Sequence, residues 1–77
     1  MKELIELIAK RLVEHKEDVQ VRLIENDEGQ CYELHVNPED MGKVIGRGGR
    51  TAKAIRTVLS ASASKQNTRA MLQIVEQ

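Results

Sequence analysis

Three glycines within four residues, Gly46, Gly48 and Gly49, interrupt an otherwise helical second half of the chain. Glycine takes backbone dihedrals closed to other residues and removes the side chains that hold a ligand's backbone away. The apolar pair Val44-Ile45 leads into the interruption, and Arg47, Arg50 and Lys53 lie in it and just after it. A helix starting behind such a turn points free N–H groups outward, and its N-terminus carries partial positive charge that favours anions. Gly46 alone would serve equally well as an ordinary helix end. The charge around it decides between the two readings.

From Met41 to Val75 the chain carries seven basic residues, Lys43, Arg47, Arg50, Lys53, Arg56, Lys65 and Arg69, and no acidic one. The first forty residues hold five basic against eleven acidic residues, a formal −6. The net charge of zero therefore conceals a dipolar molecule, and such asymmetry between halves points to contact with nucleic acid.

At 77 residues the chain has room for one domain with a modest core, spanning residues 1–77. It contains one Tyr, no Phe and no Trp, so that core is aliphatic. The same shortage argues against binders that stack bases on aromatic platforms, such as RRM domains. The single cysteine, Cys31, excludes an internal disulfide. The first residues are amphipathic rather than signal-like, and no apolar run is long enough to cross a bilayer, so a cytoplasmic protein without membrane attachment is expected.

Leu4, Ile5, Ile8 and Leu12 recur at helical spacing with Met1 on the same stripe, which predicts a core-packing helix over residues 2–14. Strict alternation in Val19–Leu23 and Tyr32–Val36 predicts two half-buried strands joined as a hairpin through Asn26-Asp27-Glu28-Gly29. Asn37 as N-cap, Pro38 at the first helical position and the acids Glu39 and Asp40 predict a helix running to about Ile45. Ala52, Ile55, Val58, Leu59 and Ser62 predict a second helix of about four turns, weakening over Ser60–Ser64. A loop from Lys65 to Thr68 and a strand over residues 70–75 complete the order α-β-β-α-α-β.

That order, with Gly-x-x-Gly between the two later helices, resembles a type II KH domain over essentially the whole chain. The segment Val44-Ile45-Gly46-Arg47-Gly48-Gly49-Arg50-Thr51-Ala52-Lys53-Ala54-Ile55-Arg56-Thr57 is similar to the signature of the KhpA family of small stand-alone bacterial KH-domain RNA-binding proteins. The resemblance implies an α+β fold, a three-stranded sheet with three helices packed on one face. It also implies a cleft for about four nucleotides of single-stranded RNA, with the GXXG loop clamping the backbone. Carried onto this chain, Gly46, Arg47, Gly48 and Gly49 form the loop, with Arg47 and Gly48 at its tip. Arg50 and Lys53 lie beside the phosphates, and Lys43 adds charge before the loop. Val44, Ile45 and Ile55 are either apolar surface near the bases or simple core. Asn26–Gly29 corresponds to the family's variable loop, short and acidic here, which limits contacts on the far wall of the cleft. Thr51 departs from the aliphatic residue usual in the family. It either weakens packing at the helix start or caps that helix with its hydroxyl.

The resemblance further implies an RNA chaperone or post-transcriptional regulator linked to cell division, elongation, cell shape and cell wall organization. It implies a homodimer too, and pairing with a larger KhpB/EloR/Jag-like KH protein. A module acting mainly through such pairing is the alternative reading. Catalysis has little to draw on: a P-loop would need glycine where Val44 stands, and a dinucleotide fingerprint would need glycine where Thr51 stands. Cys31 and His35 share a strand face without a third ligand at matching spacing, and His15 is expected to be exposed. No enzyme, cofactor, metal or small-molecule substrate is expected.

Overall fold

The computed structural model describes all residues, Met1–Gln77. Helix α1 (Lys2–Leu12) is followed by strands β1 (Gln20–Asn26) and β2 (Gly29–Val36), helices α2 (Met41–Ile45) and α3 (Arg50–Lys65), and strand β3 (Ala70–Glu76). The sheet order is β1-β2-β3, antiparallel between β1 and β2 and parallel between β2 and β3. A parallel pair needs a crossover connection. Here α2, the glycine turn and α3 provide it, so the turn is part of the link that closes the sheet.

Alternation along β2 sends Tyr32, Leu34 and Val36 into the core and leaves Cys31, Glu33 and His35 half-buried on the other face. The core joins Val21 and Leu72 of the flanking strands to Ile5, Ala9, Val13, Val44, Ile55 and Leu59 from the helical side. The fold is α+β, a mixed three-stranded sheet with three helices, as the sequence reading expects.

Helix α1 keeps Met1, Ile5 and Ile8 of the expected stripe at the core but turns Leu4 and Leu12 outward. Its buried line is Ile5–Ala9, continued by Val13 just past the helix, while Leu4 is 40 % exposed and Leu12 37 % exposed. These three residues are four apart and fall under one another, and the small Ala9 lets the backbone approach the sheet. The hairpin forms as expected. Asn26 Oδ1 accepts from the N–H of Glu28 and Gly29 at 2.9 and 3.1 Å, an Asx turn that leaves two residues at the tip.

Asn37 does cap, accepting from the Glu39 N–H at 2.9 Å, but the turn that it starts at Pro38–Asp40 is 3₁₀, and only Met41–Ile45 is α-helical. Helix α3 does not weaken over Ser60–Ser64: it continues to Lys65, because Ala63 is buried in its last turn. It ends in a Schellman arrangement. Asn67 takes φ 55°, Thr68 N–H donates to the Ala63 carbonyl at 3.0 Å, and Asn67 N–H donates to that of Ser64 at 3.1 Å.

Candidate nucleic-acid interface

Helix α2 ends because Gly46, at φ 80° and ψ 167°, leaves the helical region. Gly48 (φ 65°) and Gly49 (φ 77°) then occupy the left-handed region before α3 begins at Arg50. Three positive φ values in four residues explain the glycines, since side chains disfavour each of these conformations. Gly46 is doubly required, because an added Cβ would run into the side chain of Thr51. Gly48 and Gly49 have open space where their Cβ atoms would be, and no side chain caps the N-terminus of α3. No side chain covers the main chain at this point, where the Gly49 N–H donates to the Gly46 carbonyl at 3.1 Å.

Arg47, Gly48, Arg50 and Lys53 are exposed around the bare backbone, and Gly49 is half-buried. Arg47, Arg50, Lys53, Arg56, Lys65 and Arg69 form no ion pair with any acid of the chain. Lys43 differs from them. Its Nζ lies 3.2 Å from Glu14 Oε1 and 3.6 Å from Asp40 Oδ1, so a phosphate reaching Lys43 competes with two internal carboxylates.

The expected apolar contacts divide. Ile45, the last residue of α2, is 36 % exposed and borders the turn. Val44 is completely buried, and Ile55 nearly so, which makes both core residues rather than surface for a base. One turn of helix explains the split: neighbouring residues point about 100° apart, and Val44 faces the sheet. Thr51 neither caps α3 nor loosens it; its side chain closes against Gly46, and the residue is half-buried.

The sequence reading missed Asp40. Its carboxylate is 1 % exposed and accepts from Glu14 N–H at 3.2 Å, His15 N–H at 3.0 Å and the His15 ring Nδ1 at 2.9 Å. It ties the end of α1 to the start of α2, immediately ahead of the glycine turn. Burial works against ionisation of Asp40. The N–H donors of His15 and Glu14, with the His15 ring, outweigh it and hold the carboxyl at about 2. The same bond raises His15 above its ordinary 6.5 against the opposing effect of burial, so His15 is engaged rather than free.

The signs of these shifts fix a pH window. Asp40, whose folded pKa is depressed, contributes stability fully above its ordinary 3.8 and loses it as pH falls towards about 2. His15, whose folded pKa is raised, contributes fully below 6.5 and loses its share as pH climbs through the higher folded value. The melting temperature is therefore expected to decline from pH 6 to pH 8, and His15→Ala to be less stable at pH 6 but flatter across that interval. Thermal melts of the two proteins that run parallel over the whole range would sink this coupling.

No cluster of three or more His, Cys, Asp or Glu residues able to hold a metal ion occurs in the structure. No helix is long and apolar enough to cross a membrane.

The family described as KhpA/KhpB, KH domain, matches residues 2–74. The RNA-binding protein KhpA of Clostridium perfringens is 55% identical over 75 residues, covering 97% of this chain and 100% of that protein. Its namesake in Halalkalibacterium halodurans is 53% identical over 78 residues, covering 99% and 100% respectively. The Aquifex aeolicus protein of the same name is 45% identical over 76 residues, covering 99% and 96%. With the six-element order, the left-handed glycine turn and matches along the full length of these relatives, this chain belongs to the KhpA/KhpB KH-domain family.

Proposed function

We propose that the protein binds single-stranded RNA, with the Gly46–Gly49 turn clamping the backbone, and acts as an RNA chaperone or post-transcriptional regulator. The observation that carries this reading is the turn: bare main chain at the uncapped start of α3, flanked by Arg47, Arg50 and Lys53, none of them neutralised from within. Backbone N–H groups and the helix dipole meet a phosphate at close range, and the three cations flank its neighbours. The names of the curated relatives, RNA-binding protein KhpA, support RNA as the polyanion. Ile45 provides apolar surface beside the clamp, and Lys43 a second-rank cation that must first leave Glu14.

Dimerisation, either with itself or with a KhpB/EloR/Jag-like KH protein, belongs to the same proposal. Along the outer side of α3, Ala54, Val58 and Ala61 are exposed at helical spacing, and Val58 is 46 % exposed. Small residues on that stripe allow a second helix to approach closely. Two clefts held together would raise the affinity of a site that takes only about four nucleotides. A role in cell division and envelope regulation in the cytoplasm follows from the family resemblance.

Sedimentation velocity of a labelled single-stranded RNA with the native protein, repeated over a salt series, tests both parts. Three phosphate contacts predict a slope of log affinity against log salt of about −2, from about −0.7 per contact on a single strand. The complex should carry two protomers. Affinity indifferent to salt would remove the clamp, and a single protomer at every protein concentration would remove the dimer.

A further inference from the structure

At the start of α2, two basic side chains share one buried carboxylate. Asp40 Oδ2 accepts from the His15 N–H at 3.0 Å and lies 2.9 Å from the His15 ring Nδ1. Asp40 Oδ1 accepts from the Glu14 N–H at 3.2 Å and lies 3.6 Å from Lys43 Nζ, which also reaches Glu14 Oε1 at 3.2 Å. His15 and Lys43 are the only basic side chains paired with Asp40. Lys43 is the only basic residue of α2 and stands about one helical turn before Gly46, so the side chain held on Asp40 is also the cation nearest the glycine turn from that helix.

The other charged neighbours of His15 are otherwise engaged or unpaired. On the turn that follows α1, Lys16 Nζ donates to the Val13 carbonyl at 3.3 Å, and Asp18 accepts from Asn37 Nδ2 at 2.9 Å. Glu17 and Glu39 form no ion pair. The bond to Asp40 is the main support for a charged His15 ring; burial opposes it, and the charges of Asp40, Glu39 and Glu17 add to it. Nδ1 carries a hydrogen towards the carboxylate whether the ring is charged or neutral, so titration at Nε2 changes the charge and leaves the bond in place.

The two charge states hold Lys43 differently. With the ring charged, Asp40 has its counter-ion at Oδ2, and Lys43 is left mainly to Glu14, whose side chain is 77 % exposed and screened by water. With the ring neutral, Lys43 is the sole cation on a carboxylate that is 1 % exposed, where an unpaired charge is costly. We propose that His15 is a positioning residue of the RNA site: charged, it frees Lys43 to reach a phosphate beside the glycine turn, and neutral, it leaves Lys43 held on Asp40. A fall in pH thus adds one cation to Arg47, Arg50 and Lys53. The inference rests on the turn as the RNA contact.

The coupling is read first without RNA. In the free protein, Lys43→Gln removes the second cation from Asp40 and is expected to raise the His15 pKa further, as followed by NMR of the ring; an unmoved His15 would overturn the coupling. Anisotropy titrations of a labelled single-stranded RNA lacking a terminal phosphate, at pH 6 and pH 8 and constant ionic strength, then compare the native protein with Lys43→Gln, His15→Asn and Arg47→Asp/Gly48→Asp. The native protein is expected to bind about fivefold more tightly at pH 6, the effect of one unit charge at contact distance in water. Its salt slope should be steeper there by about 0.7. Lys43→Gln should bind equally at the two pH values. His15→Asn keeps a donor for Asp40 without the charge and should stay at the native pH 8 level throughout. The native comparison needs no variant, so a loss of fold in His15→Asn, seen by circular dichroism, leaves the test intact. A native affinity that is the same at both pH values, or a pH dependence that survives in Lys43→Gln, would overturn the release of Lys43 and leave the turn standing. Native-like binding by the turn variant would overturn the turn, and this inference with it.

Discussion

Changing Arg47 and Gly48 together to aspartate is expected to lower affinity for short single-stranded RNA by on the order of a hundredfold, while the protein stays folded. The tip of the turn passes from one positive charge to two negative ones, a change of three unit charges at the point where the proposed clamp would meet a phosphate. At about 1 kcal/mol per charge at contact distance in water, that is about 3 kcal/mol, and 1.4 kcal/mol is a factor of ten. The fold tolerates the change for reasons visible in the turn. Gly48 has open space where a Cβ would go, and its φ of 65° with ψ of 18° is a conformation that Asp visits more readily than most residues. The strain amounts to about 1 kcal/mol, or roughly 4–8 °C in Tm for a domain of this size. Titration beside a thermal melt separates the two effects. Native-like binding by a folded double variant would remove the turn from the RNA site, and collapse of the melt would mean that the turn is needed for folding rather than for contact.

The largest expected loss of stability lies elsewhere. Leu34 is fully buried in the central strand, between Val21 on β1 and Ile74 on β3. Leu34→Ala removes apolar contact and leaves a cavity that three rigidly paired strands cannot close, a cost of about 2–5 kcal/mol. A chain of this length has roughly 4–12 kcal/mol in total. The melting temperature should fall by roughly 10–25 °C, with RNA affinity per folded molecule unchanged well below the transition. A fall of less than about 5 °C would mean that the core rearranges around Leu34. The pairing of a binding variant that folds with a folding variant that binds would divide the chain cleanly into its two tasks.

Most of the architecture is legible in the sequence because it is encoded locally. Alternation around Val21 and Leu34, the Asn26 turn and the aliphatic period of α3 each specify an element from residues close in sequence. The glycine turn is legible for the same reason, since its conformation belongs to the four residues themselves. Contacts between distant segments are not. Asp40 reads as an ordinary acid in a first helical turn, and its donors lie 25 and 26 residues upstream. Lys43 reads as a free cation until Glu14 is brought to it, and Val44 and Ile45 look alike until the sheet takes one of them. Arg69 was visible only as a charge. Its place beside Gly29 depends on a parallel pairing that no local pattern announces.

That parallel pairing also orders events in time. The β1–β2 hairpin closes over two residues and belongs to the microsecond class of elementary steps. The match of Leu34 with Ile74 joins residues forty positions apart, and non-local pairing of this kind slows folding. During synthesis the hairpin and both later helices are made before β3, so the sheet lacks one edge until β3 pairs with β2. The pairing of β3, rather than the turn, is the step that completes the sheet.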